Sequence, residues 1–159
     1  MRIQRVLILA AAAVLGGGGL IYAQDRTRAL TANDFVEIQQ LYAKYAIAID
    51  AGDAEGYASA FIPEGVFNTN VGHDALVKFA TTFHAGVGSH LRHWSSNLFI
   101  QPTATVAHGQ VSLMIVDFAT TPATIVRVGT CTDELVLTAQ GWRFSKRTLS
   151  HPVAPPTPQ

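Results

Sequence analysis

The side chain in this sequence best suited to proton transfer is histidine, and two of the chain's six histidines, His90 and His93, open a strand-like run. Histidine titrates near neutral pH, and a carboxylate bonded to one ring nitrogen fixes the tautomer and stabilises the imidazolium ion. A pair of histidines can also bind a metal ion, but an odd spacing sends their side chains to opposite faces of a strand. The spacing therefore favours acid/base chemistry at a single histidine, with no metal ion and no organic cofactor.

Asp50 is the candidate carboxylate, because it lies near the C-terminal end of a predicted helix. The helix dipole disfavours a negative charge there by about 0.3–1 kcal/mol, so a nearby positive charge would compensate. An imidazolium at position 93 would supply that charge, and solvent would also serve. The pattern alone leaves two interpretations open: a pocket carboxylate paired with His93, or an exposed Asp50 that supports the turn at residues 52–53. His93 itself could equally be a hydrogen-bonded structural residue.

Other side chains are candidates to contact a ligand. In a strand, His93 and Asn97 share one face and their side chains originate about 13 Å apart, so they could touch different parts of one molecule. Aromatic residues suit the wall of an apolar pocket, although at helical spacing they more often form ordinary core. The Tyr45 hydroxyl, near the end of the predicted helix, could donate a hydrogen bond to a ligand carbonyl. The predicted binding residues are Tyr45, Phe67, Trp94, Asn97 and Asp117.

A long helix must position Asp50. Thr31 followed by Asp34 has the spacing of a capping box, which predicts a helix to about Ala51, stopped by Gly52. Its apolar residues recur at steps of three and four, which predicts one stripe facing a core. The stripe consists of Phe35, Ile38, Tyr42, Tyr45 and Ile49.

Two shorter helices and a strand follow. Asp53 can cap a second helix that carries Tyr57 and Phe61 and ends at residues 63–65. Residues 66–71 resemble a short strand, and Gly72 opens a third helix. The predicted buried face of that helix consists of Leu76, Phe79, Ala80 and Phe83.

The second half of the chain is predicted to be mostly β, and one of its strands must carry His93. Turn signals separate four apolar runs, at residues 90–101, 110–118, 125–138 and 142–149. Helices followed by such strands indicate an α+β fold, with helices packed on one face of a largely antiparallel sheet.

Composition narrows the partners. The chain has 159 residues, 11 basic and 11 acidic side chains and a formal net charge of zero. That length fits one domain, and the absence of a basic cluster argues against nucleic acid. We assign residues 31–150 to the domain and residues 151–159 to a disordered, proline-rich tail.

The N-terminus has the pattern of an export signal. Arg2 and Arg5 precede an uncharged apolar run from Val6 to Tyr22, which predicts a signal peptide over residues 1–23, then a linker over 24–30. The expected location is the periplasm or the medium, without stable membrane association after cleavage. An uncleaved anchor is the alternative.

The order of elements, and certain segments within it, resembles the SnoaL-like group of the nuclear transport factor 2-like superfamily. The matching segments are Gln40-Leu-Tyr-Ala-Lys-Tyr45, Asp50-Ala-Gly-Asp53, residues 57–66, Arg92-His93-Trp94-Ser-Ser-Asn97 and Gly141-Trp-Arg-Phe144. The resemblance implies a cone-shaped domain in which a curved, mostly antiparallel sheet and three N-terminal helices enclose a pocket. It also implies a homo-oligomer, either a dimer or a trimer.

The resemblance also suggests chemistry. Scytalone dehydratase, a relative, has an Asp at the end of its first helix and a His on the strand after its third helix, and Asp50 and His93 stand at the matching positions as the implied catalytic pair. Residues 66–70 contain no acid where ketosteroid isomerase carries its base. Asp117 is the ionisable group nearest to the place where scytalone dehydratase has a second histidine.

These observations predict an exported protein that binds a small hydrophobic organic molecule. Its chemistry would be that of a cofactor-independent dehydratase, isomerase or cyclase that uses the Asp–His pair. The alternative is a non-catalytic module of the same fold that binds a ligand or assembles with itself.

Overall fold

The computed structural model describes residues 29–103 and 106–152. The predicted signal peptide, most of the predicted linker and the tail from residue 153 onward lie outside the described residues.

Helix α1 spans Ala32–Ala51, as the capping pattern predicted. The Thr31 hydroxyl accepts a hydrogen bond from the Asp34 backbone N–H, and the Asp34 carboxylate accepts one from the Thr31 N–H at 2.8 Å. Gly52 ends the helix in the left-handed conformation, with φ of 73°. Phe35 does not join the buried stripe and is 40% exposed. Asp34 takes the inward position of the first turn instead, because its carboxylate accepts a hydrogen bond from the Trp142 indole at 2.9 Å.

Helix α2 is shorter than predicted and spans Ala54–Ser59. Phe61 is not helical but begins strand β1, Phe61–Phe67, and residues 63–65 form an irregular part of that strand. The cause is pairing across the sequence, since the Phe144 N–H donates to the Ala60 carbonyl at 3.0 Å. The predicted strand over 66–71 is in fact a tight hairpin between β1 and strand β2, Asn70–Val71.

The remaining elements follow the predicted order, with ends that shift by one to three residues. Helix α3 spans His73–Val87, and a short 3-10 helix follows over Gly88–His90. The four long strands are β3 (Leu91–Pro102), β4 (Ala107–Asp117), β5 (Thr124–Thr138) and β6 (Gly141–Ser150). Residues 139–140 form the turn between β5 and β6.

The six strands form one curved, mixed sheet in the order β2-β1-β6-β5-β4-β3, so β3 lies at one edge. Every pairing is antiparallel except that of β1 with β6, which is parallel. Inward-facing residues alternate along β4 and β5 and pack under the helices, whereas the opposite face of the sheet carries exposed side chains. The fold is therefore α+β. Within the described ranges, no helix is long and apolar enough to cross a membrane.

Candidate active site

Asp50 and His93 meet where the last turn of α1 approaches the start of β3. The Asp50 Oδ1 atom lies 2.6 Å from the His93 Nδ1 atom, and Asp50 Oδ2 accepts the His93 backbone N–H at 2.9 Å. The two side chains are only 8% and 12% exposed for His93 and Asp50 respectively. One carboxylate thus holds both the backbone and the ring of the same histidine.

This contact defines the tautomer of His93. A carboxylate oxygen only accepts hydrogen bonds, so His93 Nδ1 carries a proton and donates a hydrogen bond to Asp50. The neutral ring then has an unprotonated Nε2 atom, for which no hydrogen bond is found in the described part of the chain. The geometry leaves Nε2 able to accept a proton.

His93 borders a cavity of about 240 Å³ between the helices and the sheet. Its inner wall is apolar and largely aromatic, and its outer rim is polar. Ten residues form the wall: Tyr45, Ile49, Phe67, Phe79, Phe83, Val87, Leu113, Ile115, Cys131 and Leu149. The Phe83 and His93 ring centroids are 5.7 Å apart, so the imidazole stands against an aromatic surface.

Two of the predicted binding residues, Tyr45 and Phe67, line this cavity. Burial raises the pKa of Tyr45 to about 12, so its hydroxyl is neutral and can donate a hydrogen bond near neutral pH. Burial likewise raises the pKa of the Cys131 thiol, which keeps it protonated. The wall therefore carries no negative charge.

Trp94, Asn97 and Asp117 do not line the cavity. Trp94 is 53% exposed on the opposite face of the sheet, as the alternation of a strand requires for a neighbour of His93, and its ring lies 6.0 Å from that of Phe118. Asn97 has a φ of 55° beside a break in the β3–β4 register and lines a surface groove along α1 that His93 also borders. Asp117 accepts the Ala119 N–H at 2.7 Å and so stabilises the turn after β4.

A second polar cluster lies in the core behind Tyr45, and sequence analysis missed it. Arg147 is 1% exposed and donates to Asp133 Oδ2 at 3.1 Å, and the same oxygen accepts the Tyr42 hydroxyl at 2.5 Å. The Arg147 guanidinium also stacks 4.5 Å from the centroid of the Tyr45 ring. Burial raises the pKa of Asp133, an effect that Arg147 opposes. The cluster therefore holds the ring of Tyr45, which lines the cavity, in position.

Two rim residues, Arg127 and His151, were also missed. Asn68, Arg127 and His151 are exposed and border the cavity. The sequence signal for Arg127 is that a charged residue interrupts an apolar run. Strand alternation places that residue on the inward face of β5. In the ranges 29–103 and 106–152, no group of three or more His, Cys, Asp or Glu side chains is arranged to hold a metal ion.

Comparison with known proteins agrees with this architecture. Residues 31–148 match the family model described as a SnoaL-like domain. Rv3472, a protein of unknown function from Mycobacterium tuberculosis, has a similar structure, with a TM-score of 0.69 and 27% identity over 76% of this chain and 72% of its own. A protein from Catenulispora acidiphila, solved in complex with S-DNPA, has a TM-score of 0.67 and 25% identity over 76% of this chain and 95% of its own.

A third similar structure, from Nostoc punctiforme, is described as a protein of unknown function with a cystatin-like fold. It shares the fold with a TM-score of 0.71, at 23% identity over 80% of this chain and 97% of its own. Among proteins of curated function, none matches the sequence. With its family match, its sheet and its helices in agreement, the chain belongs to the SnoaL-like family of the nuclear transport factor 2-like superfamily.

Proposed function

We propose that the protein binds a small, largely apolar organic molecule in the cavity and catalyses cofactor-free proton transfer on it. The observation that carries the proposal is the 2.6 Å contact between Asp50 and His93, made at the wall of a 240 Å³ cavity. A carboxylate that fixes the histidine tautomer leaves Nε2 as a base, which is the arrangement that general base catalysis requires.

The chemistry would begin at a carbon next to a carbonyl group. His93 Nε2 takes a proton from that carbon, the C–H electron pair moves into an enolate, and Asp50 stabilises the imidazolium that forms. Tyr45 is the candidate donor to the enolate oxygen, because its hydroxyl stays protonated.

The second half of the reaction decides its class. Return of the proton to a different carbon is isomerisation. In dehydration, the imidazolium gives the proton to a neighbouring hydroxyl, which leaves as water while the enolate electrons form the new double bond. In cyclisation, the enolate carbon attacks a second carbonyl, and the imidazolium protonates the alkoxide that forms. All three classes share the first proton transfer, so an assay of that step does not require the class to be known.

The comparisons support a small organic ligand. The Catenulispora acidiphila protein, which is similar in structure, was solved with S-DNPA bound. A cavity of 240 Å³ is slightly smaller than the range of about 300–1,000 Å³ for pockets that take drug-sized ligands. The proposed ligand is therefore a compact molecule of one or two rings.

The proposed test measures hydrogen–deuterium exchange at carbon. A panel of aromatic ketones is incubated with the protein in D₂O, and NMR follows the loss of the proton next to the carbonyl. We expect the wild type to accelerate exchange for at least one ketone. His93→Gln should lose about 100-fold or more of that rate, because the base is gone, and Asp50→Asn should lose rate because it no longer enforces the tautomer.

His90→Gln is the matched control. His90 is exposed and lies three residues before His93, at 3.8 Å from Asp117 and away from the cavity. We expect this variant to exchange at the wild-type rate. A His93→Gln variant that folds and retains the full rate would rule out His93 as the base. Binding without any exchange would instead fit the non-catalytic module.

We also propose export, on the N-terminal sequence alone. Expression in a bacterium with an intact secretion system, followed by N-terminal sequencing of the secreted chain, should give Gln24 as the first residue. A chain that retains Met1 and stays with the membrane fraction would contradict cleavage.

A further inference from the structure

Arg127 shares one row of the sheet with His93. His93 on β3 is directly opposite Ile115 on β4, and Ile115 is directly opposite Arg127 on β5. Directly opposed residues of antiparallel strands point to the same face, and all three border the cavity. Strands lie about 4.8 Å apart, so the backbone positions of His93 and Arg127 are about 10 Å from each other.

Arg127 lacks a protein partner in the described part of the chain. It is exposed, and no hydrogen bond, ion pair or ring contact engages its guanidinium there. The described residues that line the cavity include no Asp or Glu. The Asp50 carboxylate, next to the site, is already hydrogen-bonded to His93 through both oxygens. The rim of this apolar cavity is therefore positive and uncompensated.

Two neighbouring groups at the rim also keep polar atoms for a ligand. Asn68 accepts the Leu149 N–H through Oδ1 at 2.9 Å, which leaves its amide NH₂ as a donor. The His151 Nδ1 atom lies 3.1 Å from the Val128 carbonyl oxygen, so Nδ1 carries the proton and Nε2 remains free. A carbonyl oxygen only accepts, so no other tautomer satisfies this contact.

We infer that the ligand of this cavity is an aromatic carboxylate, with its ring against the apolar wall and its carboxylate bound by Arg127. A guanidinium presents two parallel N–H donors that match a planar carboxylate. The separation of His93 and Arg127 places the carboxylate at one end of the molecule and the reacting carbon toward the other. The inference rests on the proposed function only in assigning the reacting end to His93.

The test compares each acid with its uncharged amide of the same shape. The three pairs are benzoate with benzamide, cinnamate with cinnamamide, and 2-naphthoate with 2-naphthamide. Equilibrium dialysis at low ionic strength measures the dissociation constants. For at least one pair, we expect the wild type to bind the acid about tenfold more tightly than the amide. Arg127→Gln should remove that preference by weakening the acid alone.

Arg143→Gln is the matched control, because it removes one positive charge from β6 at a groove away from the cavity. It should retain the preference for the acid. The inference is overturned if no pair shows a preference in the wild type, or if folded Arg127→Gln retains it.

His93→Gln separates this inference from the proposed function. We expect that variant to bind the acid with the wild-type preference while losing carbon exchange. A preference that depends on Arg127, in a protein whose exchange rate does not depend on His93, would leave the anion site established and remove the proposed catalysis. Exchange that depends on His93 without any preference for the acids would do the reverse.

Discussion

Because Gly109 has no side chain, the buried polar cluster of Tyr42, Asp133 and Arg147 has room to form. Gly109 on β4 leaves the space that the Tyr42 hydroxyl occupies on its way to Asp133, and a Cβ atom built there would overlap that hydroxyl. The cluster in turn stacks Arg147 against Tyr45, which lines the cavity. The shape of the site therefore depends on a glycine that borders none of it.

Gly109→Ala should destabilise the protein by about 1–3 kcal/mol, because the added methyl group overpacks a core position and displaces a buried hydrogen bond. Urea denaturation followed by circular dichroism measures the change. Gly86→Ala is the matched control, since no atom beyond its chain neighbours and the backbone of α3 lies within 4 Å of a Cβ placed there. The control should be neutral or stabilising by up to about 1 kcal/mol. Equal stability of the Gly109 variant and the wild type would show that the cluster adjusts freely.

At the scale of elements, local signals were sufficient for α1 and α3, and long-range pairing decided what those signals missed. The capping box at Thr31 and the stop at Gly52 are encoded within a few residues of each helix end, so the sequence predicts them directly. The start of β1 at Phe61 depends on pairing with Phe144, 83 positions later, which no local pattern contains. The same limit concealed the Asp133–Arg147 pair and the row from His93 to Arg127.

The pairing of Asp50 with His93 came from the family resemblance and not from periodicity. Helical spacing alone left Asp50 at the edge of the apolar stripe, where exposure and burial were both consistent with the pattern. The positions of two predicted binding residues that do not line the cavity have local explanations: strand alternation turns Trp94 outward, and a register break turns Asn97 toward the groove along α1.

The three buried tyrosines between the helices and the sheet should make the protein lose stability at alkaline pH. Burial raises the pKa of Tyr42, Tyr45 and Tyr57, that of Tyr45 to about 12. The folded state then binds more protons than the unfolded state above the ordinary tyrosine pKa of about 10, so stability falls as the pH rises through that value.

We expect the phenolate absorbance of these tyrosines to appear together with the loss of the far-ultraviolet circular dichroism signal, because unfolding is required for them to ionise. Tyr57→Phe should show a smaller loss of stability per pH unit in the same range. Ionisation of all the tyrosines near pH 10, with the fold intact, would contradict the buried layer.

At the scale of the whole molecule, one region of the sheet face opposite the helices exposes large apolar side chains. One row across β3, β4 and β5 consists of Trp94, Met114 and Val128. Trp94 is 53% exposed and Val128 is 44% exposed. Phe118, whose ring contacts that of Trp94, and Ile125, opposite Val116, add exposed apolar surface, at 50% and 59%. A contiguous apolar patch on a sheet suits an interface with a second copy of the chain.

We therefore predict that the chain forms a dimer or trimer through this patch, and that Trp94→Ser gives a monomer because it removes the largest apolar side chain of the row. Size-exclusion chromatography with light scattering, over a series of protein concentrations, measures the mass. Phe35→Ser removes an exposed aromatic ring from α1, away from this face, and should leave the mass unchanged. A wild type that is monomeric at every concentration would contradict the expected dimer or trimer.

The hydrogen bond that the His93 backbone N–H donates to Asp50 has a consequence for solubility. β3 is a border strand, and a border strand offers unpaired amide groups to which a foreign chain can add as a further strand. The carboxylate at the end of α1 occupies one of these groups, the His93 N–H. We therefore expect Asp50, whose proposed role is to prepare the histidine for chemistry, also to limit aggregation through this side of the sheet.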